Sequence, residues 1–275
     1  MPAGDVPRGT RSAGAGRSED HGRPVREAAA RVRPRRRTPL TRGPTTGPVH
    51  RDDATGVRNV FRNRRDAGER LARVVEGQNK PRPLVLALPR GGVPVAERVT
   101  EALGIPLDIV VVRKIPVPGS PETAIGATTA EGPPLFDRRA LNLLGLSEER
   151  LTDAVEAEQA EARRRIRAYR GSGPGPEVAG RDVFVIDDGL ATGMSARAAL
   201  TALREQDPAS LVLAVPVGAP NAVHALADVC DQVVCLETPS DFGAVSLWYE
   251  EFEQVGDEEV LALLNRAGAD EGRAP

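Results

Sequence analysis

An α/β fold, with a parallel β-sheet covered by helices on both faces, is predicted by three observations. Short apolar runs recur at residues 84–88, 107–112, 183–186, 211–217 and 232–236. Helical patterns lie between them, as at 66–76 and through Val95, Val99 and Leu103. The runs are nearly continuously apolar rather than alternating, as expected of strands buried on both sides.

Residues 1–56 come first and carry 12 Arg against 6 Asp or Glu, with many Gly and Pro and no apolar periodicity. Such a segment buries too little surface to offset the entropy of ordering, so it is read as a disordered basic extension. It has no continuous apolar region like that of a secretory signal, and its Pro and Gly interrupt any amphipathic transit helix. The folded domain is expected over 57–270, and translation is expected to begin near Val57. That leaves 25 of the 37 basic residues against 33 of the 39 acidic ones in the remainder, an acidic balance that argues against nucleic acid as the main partner. No run of 18 apolar residues occurs, so no membrane partner is expected. The two cysteines, Cys230 and Cys235, lie in an apolar strand-like region and suit core packing in a reducing cytoplasm better than a disulfide or metal pair.

In the domain, Ala67, Leu71, Val74 and Val75 space a first helix over Asp66–Glu76, stopped by Gly77. Leu84–Leu88 form a strand ending in Pro89-Arg90-Gly91-Gly92. Leu107–Val112 form the next strand and end in Arg113-Lys114. Residues 114–136, rich in Pro, Gly, Thr and Ala, read as a loop, and Glu148–Arg170 as a long charged helix. Together they suit a small mobile lid, with the helix charges forming a solvated face paired at three- and four-residue spacing. Gly171–Pro176 reads as a linker back to the sheet.

Residues 183–195 carry the clearest chemistry. Four apolar residues lead to Asp187 and Asp188, then Gly189, Leu190, Ala191, Thr192, Gly193, Met194 and Ser195 open a helix. Main-chain amides and hydroxyls at a helix N-terminus favour an anion, so the turn suits a sugar phosphate. The two acids suit ribose hydroxyls or a hydrated divalent cation. The plainer alternative is a strand, turn and helix whose acids cap the helix.

This stretch resembles the thirteen-residue signature that binds 5-phosphoribosyl diphosphate (PRPP) in type I phosphoribosyltransferases, with Ser195 where Thr is more usual. The resemblance covers roughly Phe61–Leu264. Within the family it is nearest to uncharacterised bacterial members with a Pro-Arg-Gly-Gly loop, an Arg-Lys-Ile strand end and a late aromatic cluster, here Phe242, Trp248, Tyr249 and Phe252. It implies the type I fold with a small hood over the sheet. It also implies Mg2+-dependent transfer of the phosphoribosyl group from PRPP to a nitrogenous base or related small acceptor, with release of pyrophosphate. The 5′-phosphate would lie on Gly189–Ser195 and the pyrophosphate on Pro89, Arg90, Gly91, Gly92, Arg113 and Lys114. Asp187, Asp188 and Lys114 would be catalytic, with Asp187 and Asp188 meeting the metal through water or ribose.

Glu122 either contacts metal, base or ribose or caps a turn. Trp248 and Tyr249 either stack on the acceptor or anchor the C-terminal segment to the core. The alternative function is a non-catalytic PRPP or nucleotide sensor on the same fold. A homodimer is the default assembly.

Overall fold

The structure, a computed structural model, describes residues 60–171 and 173–269. The extension expected over 1–56 lies outside the described residues.

Helix α1 (Arg64–Glu76) starts two residues before its apolar pattern, because Asn63 caps it by accepting the Asp66 amide. Asp66 reciprocates by accepting the Arg62 amide. Strand β1 (Pro83–Ala87) leads through the Arg-Gly-Gly turn into α2 (Gly92–Leu103), which stops at left-handed Gly104. The main sheet adds β2 (Leu107–Ile109), β6 (Asp182–Ile186), β7 (Ser210–Val217) and β8 (Gln232–Glu237) in the order β2-β1-β6-β7-β8, all pairs parallel. Alternate residues divide between two cores. Leu84, Leu86, Val183, Val185, Leu211 and Leu213 pack with α5 (Met194–Arg204) and the late aromatics. Val85, Ala87, Phe184, Ile186, Val212 and Ala214 pack with α2 and α7 (Asp257–Ala269). The short helix α6 (Pro220–Ala225) follows β7.

Two expectations are corrected. The apolar run at 107–112 is not one strand: β2 ends at Ile109, and Val112 opens β3 (Val112–Val117) of a separate sheet. The expected loop at 114–136 is instead mostly sheet. Strand β3 pairs antiparallel with β4 (Ser120–Thr129) across a Pro118-Gly119 turn, and β4 pairs with β5 (Leu135–Phe136). Gly119 holds φ 81° there, and the register shifts at Pro116, which has no amide to donate. Ile115 and Ile125 are fully buried against Leu141 of α3 (Arg138–Leu144) and Val155 of α4 (Thr152–Arg170). Pro, Gly and small residues hid these strands from local propensity, and tertiary packing of two isoleucines made them.

The charged helix is α4, preceded by a 3-10 turn at Glu148–Leu151. Its charges are partly the expected solvated pairs, with Glu161 bonded to Arg164 and Arg165 at 2.6 and 2.9 Å. Hydrogen bonds from Arg164 and Arg165 pull the Glu161 carboxyl down to about 2. Other α4 side chains are tertiary anchors: Glu158 accepts from Arg113, Arg163 donates to the Ala130 carbonyl, and Arg170 reaches Asp108. Among the described residues no helix is long and apolar enough to cross a membrane.

Candidate active site

The direction in which strands are added to the sheet reverses between β1 and β6, so the loops leaving their carboxyl ends diverge and open a crevice. Residues 88–92 and 187–193 meet there. The Leu88 amide donates to the Ile186 carbonyl at 2.8 Å, which carries the pairing one step past β1. Gly91 has φ −60°, which any residue adopts, so conformation alone does not demand glycine. Crowding does: a Cβ on Gly91 would overlap the Asp188 carboxylate, and one on Gly92 would lie 2.5 Å from the Ile186 carbonyl oxygen. The paired glycines therefore serve the approach of one loop to the other. The Pro89–Arg90 peptide is cis. Arg90 is partly exposed and faces Asp257 at the start of α7, 3.7 Å away. Asp257 also accepts from the Tyr169 hydroxyl at 2.5 Å.

After β6, Leu190 is buried and gives its amide to the Val217 carbonyl at 2.9 Å. That amide is spent on β7, so Leu190 anchors the turn rather than offering it a donor. Among the described residues, no protein acceptor takes the amides of Ala191, Thr192 and Gly193, which stand on an accessible turn before α5. Gly193 holds φ 78°, the left-handed conformation that lets the turn enter the helix. Gly189 is needed for space, since a Cβ would lie 2.5 Å from a Val245 methyl. Thr192, Gly193 and Met194 also border a cavity of about 210 Å³ with Phe136, Arg197 and Leu226.

Asp188 is fixed from several sides. Its Oδ2 accepts from Arg64 Nε at 2.8 Å, with side-chain exposures of only 11% and 15% for Arg64 and Asp188. Its carbonyl accepts from the Tyr249 hydroxyl at 2.6 Å, and its amide donates to Asp187 Oδ1 at 2.9 Å. Burial is the main cause pushing both carboxyls above the usual aspartate range. The Asp188 charge pushes Asp187 further, while Arg64 draws Asp188 back down. Burial, followed by the charge of Asp188, also raises the Tyr249 phenol.

Trp248 and Tyr249 are both buried, so of the two readings for them the anchoring one describes the structure. Trp248 donates to the Phe242 carbonyl at 2.9 Å, and Tyr249 packs between Phe61 and Phe252 with ring centroids 5.4 and 5.1 Å away. Phe252 is half-buried, with the Arg64 guanidinium 3.8 Å above its ring. Arg64, Arg90, Gly91, Asp188 and Phe252 line one cavity of about 320 Å³.

Other expected site residues lie elsewhere. Arg113 points to α4 and is ion-paired to Glu158 at 2.8 Å. Lys114 is exposed and alternates to the opposite side of β3, the side on which Val112 packs toward the α5 core. Glu122 is exposed near the hairpin tip and borders neither cavity described above.

Arg64 is the site residue that sequence reasoning missed. It sits in an arginine-rich stretch of α1, and nothing local separates it from Arg62 or Arg65. The only available signal was its place at the first turn beside the Asn63 cap. It reaches the crevice because the start of the domain is paired with the segment before α7: Phe61 bridges Tyr249, and the Glu250 and Glu251 amides donate to the Phe61 and Arg62 carbonyls at 2.9 and 2.8 Å. Gly68 lets α1 lie close to α2, since a Cβ there would come within 2.6 Å of the Val95 carbonyl oxygen.

Asp187 and Asp188 suit a cation that takes most of its ligands from water and substrate. Among the described residues no group of three or more His, Cys, Asp or Glu is placed to hold a metal by itself. Mg2+ keeps several waters and uses few carboxylates, so this donor set fits it.

The family model for the phosphoribosyl transferase domain matches residues 57–251. A Mycobacterium tuberculosis (strain H37Rv) protein named "Putative phosphoribosyl transferase Rv0571c" is 41% identical over 212 residues, covering 77% of this chain and 48% of that protein. The counterpart in strain CDC 1551 matches equally. The chain thus spans about half the length of the curated relatives it matches. The crystal structure of TT1426 from Thermus thermophilus superposes with a TM-score of 0.65 at 40% identity, covering 75% of this chain and 98% of that one.

Proposed function

The chain belongs to the phosphoribosyl transferase domain family, and on that premise we propose that residues 57–270 transfer the 5-phosphoribosyl group of PRPP to a nitrogenous acceptor, releasing pyrophosphate. One observation carries the reading: the Asp188 carboxylate fills the space left by Gly91, so the two anion-handling loops meet at the crevice between β1 and β6. The amides of Ala191, Thr192 and Gly193, with the Thr192 and Ser195 hydroxyls, hold the 5′-phosphate. Arg90, with the Gly91 and Gly92 backbone, holds pyrophosphate, and Lys114, exposed near the start of the β3–β4 hairpin, is the second cation assigned to it. Asp187 and Asp188 face the ribose and support the positive charge that develops on the sugar as its bond to pyrophosphate loosens. Mg2+, held through water by Asp187 and Asp188, would supply positive charge that offsets the charge building on the departing pyrophosphate.

A PRPP or nucleotide sensor is the second reading. It is favoured by the burial of Trp248 and Tyr249, which leaves neither ring open to stack on a planar acceptor.

Calorimetric titration with PRPP at millimolar Mg2+, followed by pyrophosphate-release assays with purines, pyrimidines and pyridines, tests both readings. Binding with turnover supports the transferase, and binding without turnover of any acceptor supports the sensor. Absence of PRPP binding to the wild type refutes the assignment of the site.

A further inference from the structure

Arg64 is held on three sides within the crevice. Its Nε donates to Asp188 Oδ2 at 2.8 Å, its Nη1 donates to the Glu253 carbonyl at 2.7 Å, and its face covers the Phe252 ring at 3.8 Å. A guanidinium bound in this way does not swing to follow a ligand. Stability alone is a weak reason to keep such a pair, because desolvating two charges consumes most of their attraction, and apolar replacements of similar volume are often as stable. The pair lies in a cavity wall with Arg90 and Gly91, where the orientation of one carboxylate has chemical consequences.

We propose that Arg64 is a positioning residue that fixes the Asp188 carboxylate against the ribose of the bound phosphoribosyl group. The inference rests on the transferase or PRPP-binding reading of the site. Gly91 leaves room for Asp188 Oδ2, Tyr249 holds the Asp188 main chain, and Arg64 sets the remaining freedom, the side-chain rotamer. Without Arg64, the carboxylate beside Asp187 loses the side-chain donor that sets its rotamer, and its hydrogen bonds to a sugar hydroxyl lose their geometry. Arg64 acts through Asp188, so its effect belongs to the sugar half of the ligand rather than to pyrophosphate.

The test uses the full chain with Mg2+ and three probes: PRPP, ribose 5-phosphate and inorganic pyrophosphate. In Arg64→Gln, PRPP and ribose 5-phosphate are expected to bind about tenfold or more weakly, as when a charge-assisted hydrogen bond is lost, with pyrophosphate affinity changed by less than about threefold. In an Asp188→Ala background, Arg64→Gln should have little further effect on PRPP, because the carboxylate through which it acts is gone. Arg266→Met is the folding control. It strands the buried Glu97, whose Oε1 accepts from Arg266 at 2.9 Å between α2 and α7, and should lower stability while PRPP affinity is kept. Unchanged ribose 5-phosphate affinity in Arg64→Gln, a loss confined to pyrophosphate, additive effects with Asp188→Ala, or an equal loss in Arg266→Met each overturns the proposal. Failure of the wild type to bind PRPP instead refutes the site assignment and removes the proposal with it.

Discussion

Gly91→Ala puts one methyl group where the two loops touch. The backbone there, φ −60° and ψ −33°, accepts alanine without strain, so the whole effect is steric. The new Cβ overlaps Asp188 Oδ2 and lies 2.6 Å from Asp188 Cγ. Relief requires the carboxylate to leave Arg64, or the loop to move from β6, to which Leu88 is hydrogen-bonded at 2.8 Å. Overpacking typically costs about 1–3 kcal/mol, and breaking a buried ion pair about 3–5 kcal/mol, so partial relief by both routes gives roughly 3 kcal/mol. For a domain of this size that lowers Tm by about 6–12 °C. Thermal and urea denaturation followed by circular dichroism measure it. Gly77→Ala is the matched control: φ is −62° and the nearest atoms to its Cβ are carbonyl oxygens 3.5 Å away, so alanine there is neutral or stabilises by about 0.5 kcal/mol. If Gly91→Ala shifts Tm no more than Gly77→Ala does, the close approach of Gly91 to Asp188 does not exist in the folded protein.

Asp187→Asn is expected to raise stability at pH 8 by a few degrees of Tm. The folded state raises the pKa of Asp187, chiefly by burial and then by the charge of Asp188, so folding disfavours its ionised form. That penalty is absent below the pKa of the unfolded chain and grows as pH rises toward the folded pKa. The stabilisation relative to wild type should therefore shrink toward acid pH, and a difference independent of pH contradicts the assignment. Tyr249→Phe removes a donor 2.6 Å from the Asp188 carbonyl and keeps the ring packing, which should cost about 1–2 kcal/mol in urea denaturation. A loss below about 0.3 kcal/mol would mean that water or another donor serves that carbonyl equally well.

How much was legible in the sequence depended on whether a feature was local. The signature strand, the acidic pair and the small-residue turn lie within 183–195, where burial on both faces, turn chemistry and helix entry are adjacent in the chain, and β6 and α5 form there. The lid region was misread because its signals are spread along the chain. Ile115 and Ile125 lie among prolines and small residues, and only Leu141 and Val155 of later helices give them a core to enter. The glycine pair is plain in the sequence, but what crowds it, Asp188 and the Ile186 carbonyl, lies about a hundred residues away.

The sequence by itself determined the parallel sheet, the two loops at its switch point and the small and acidic residue types that line them, because each follows from short-range periodicity and turn chemistry. Tertiary structure decided which charges act there. It turned Arg113 onto Glu158, spent the Leu190 amide on Val217, buried Trp248 and Tyr249, and brought Arg64 onto Asp188 by pairing the start of the domain with residues 249–251. A charged side chain on a helix has no local pattern that names its partner. Its role is set by which distant element folding places within hydrogen-bond reach.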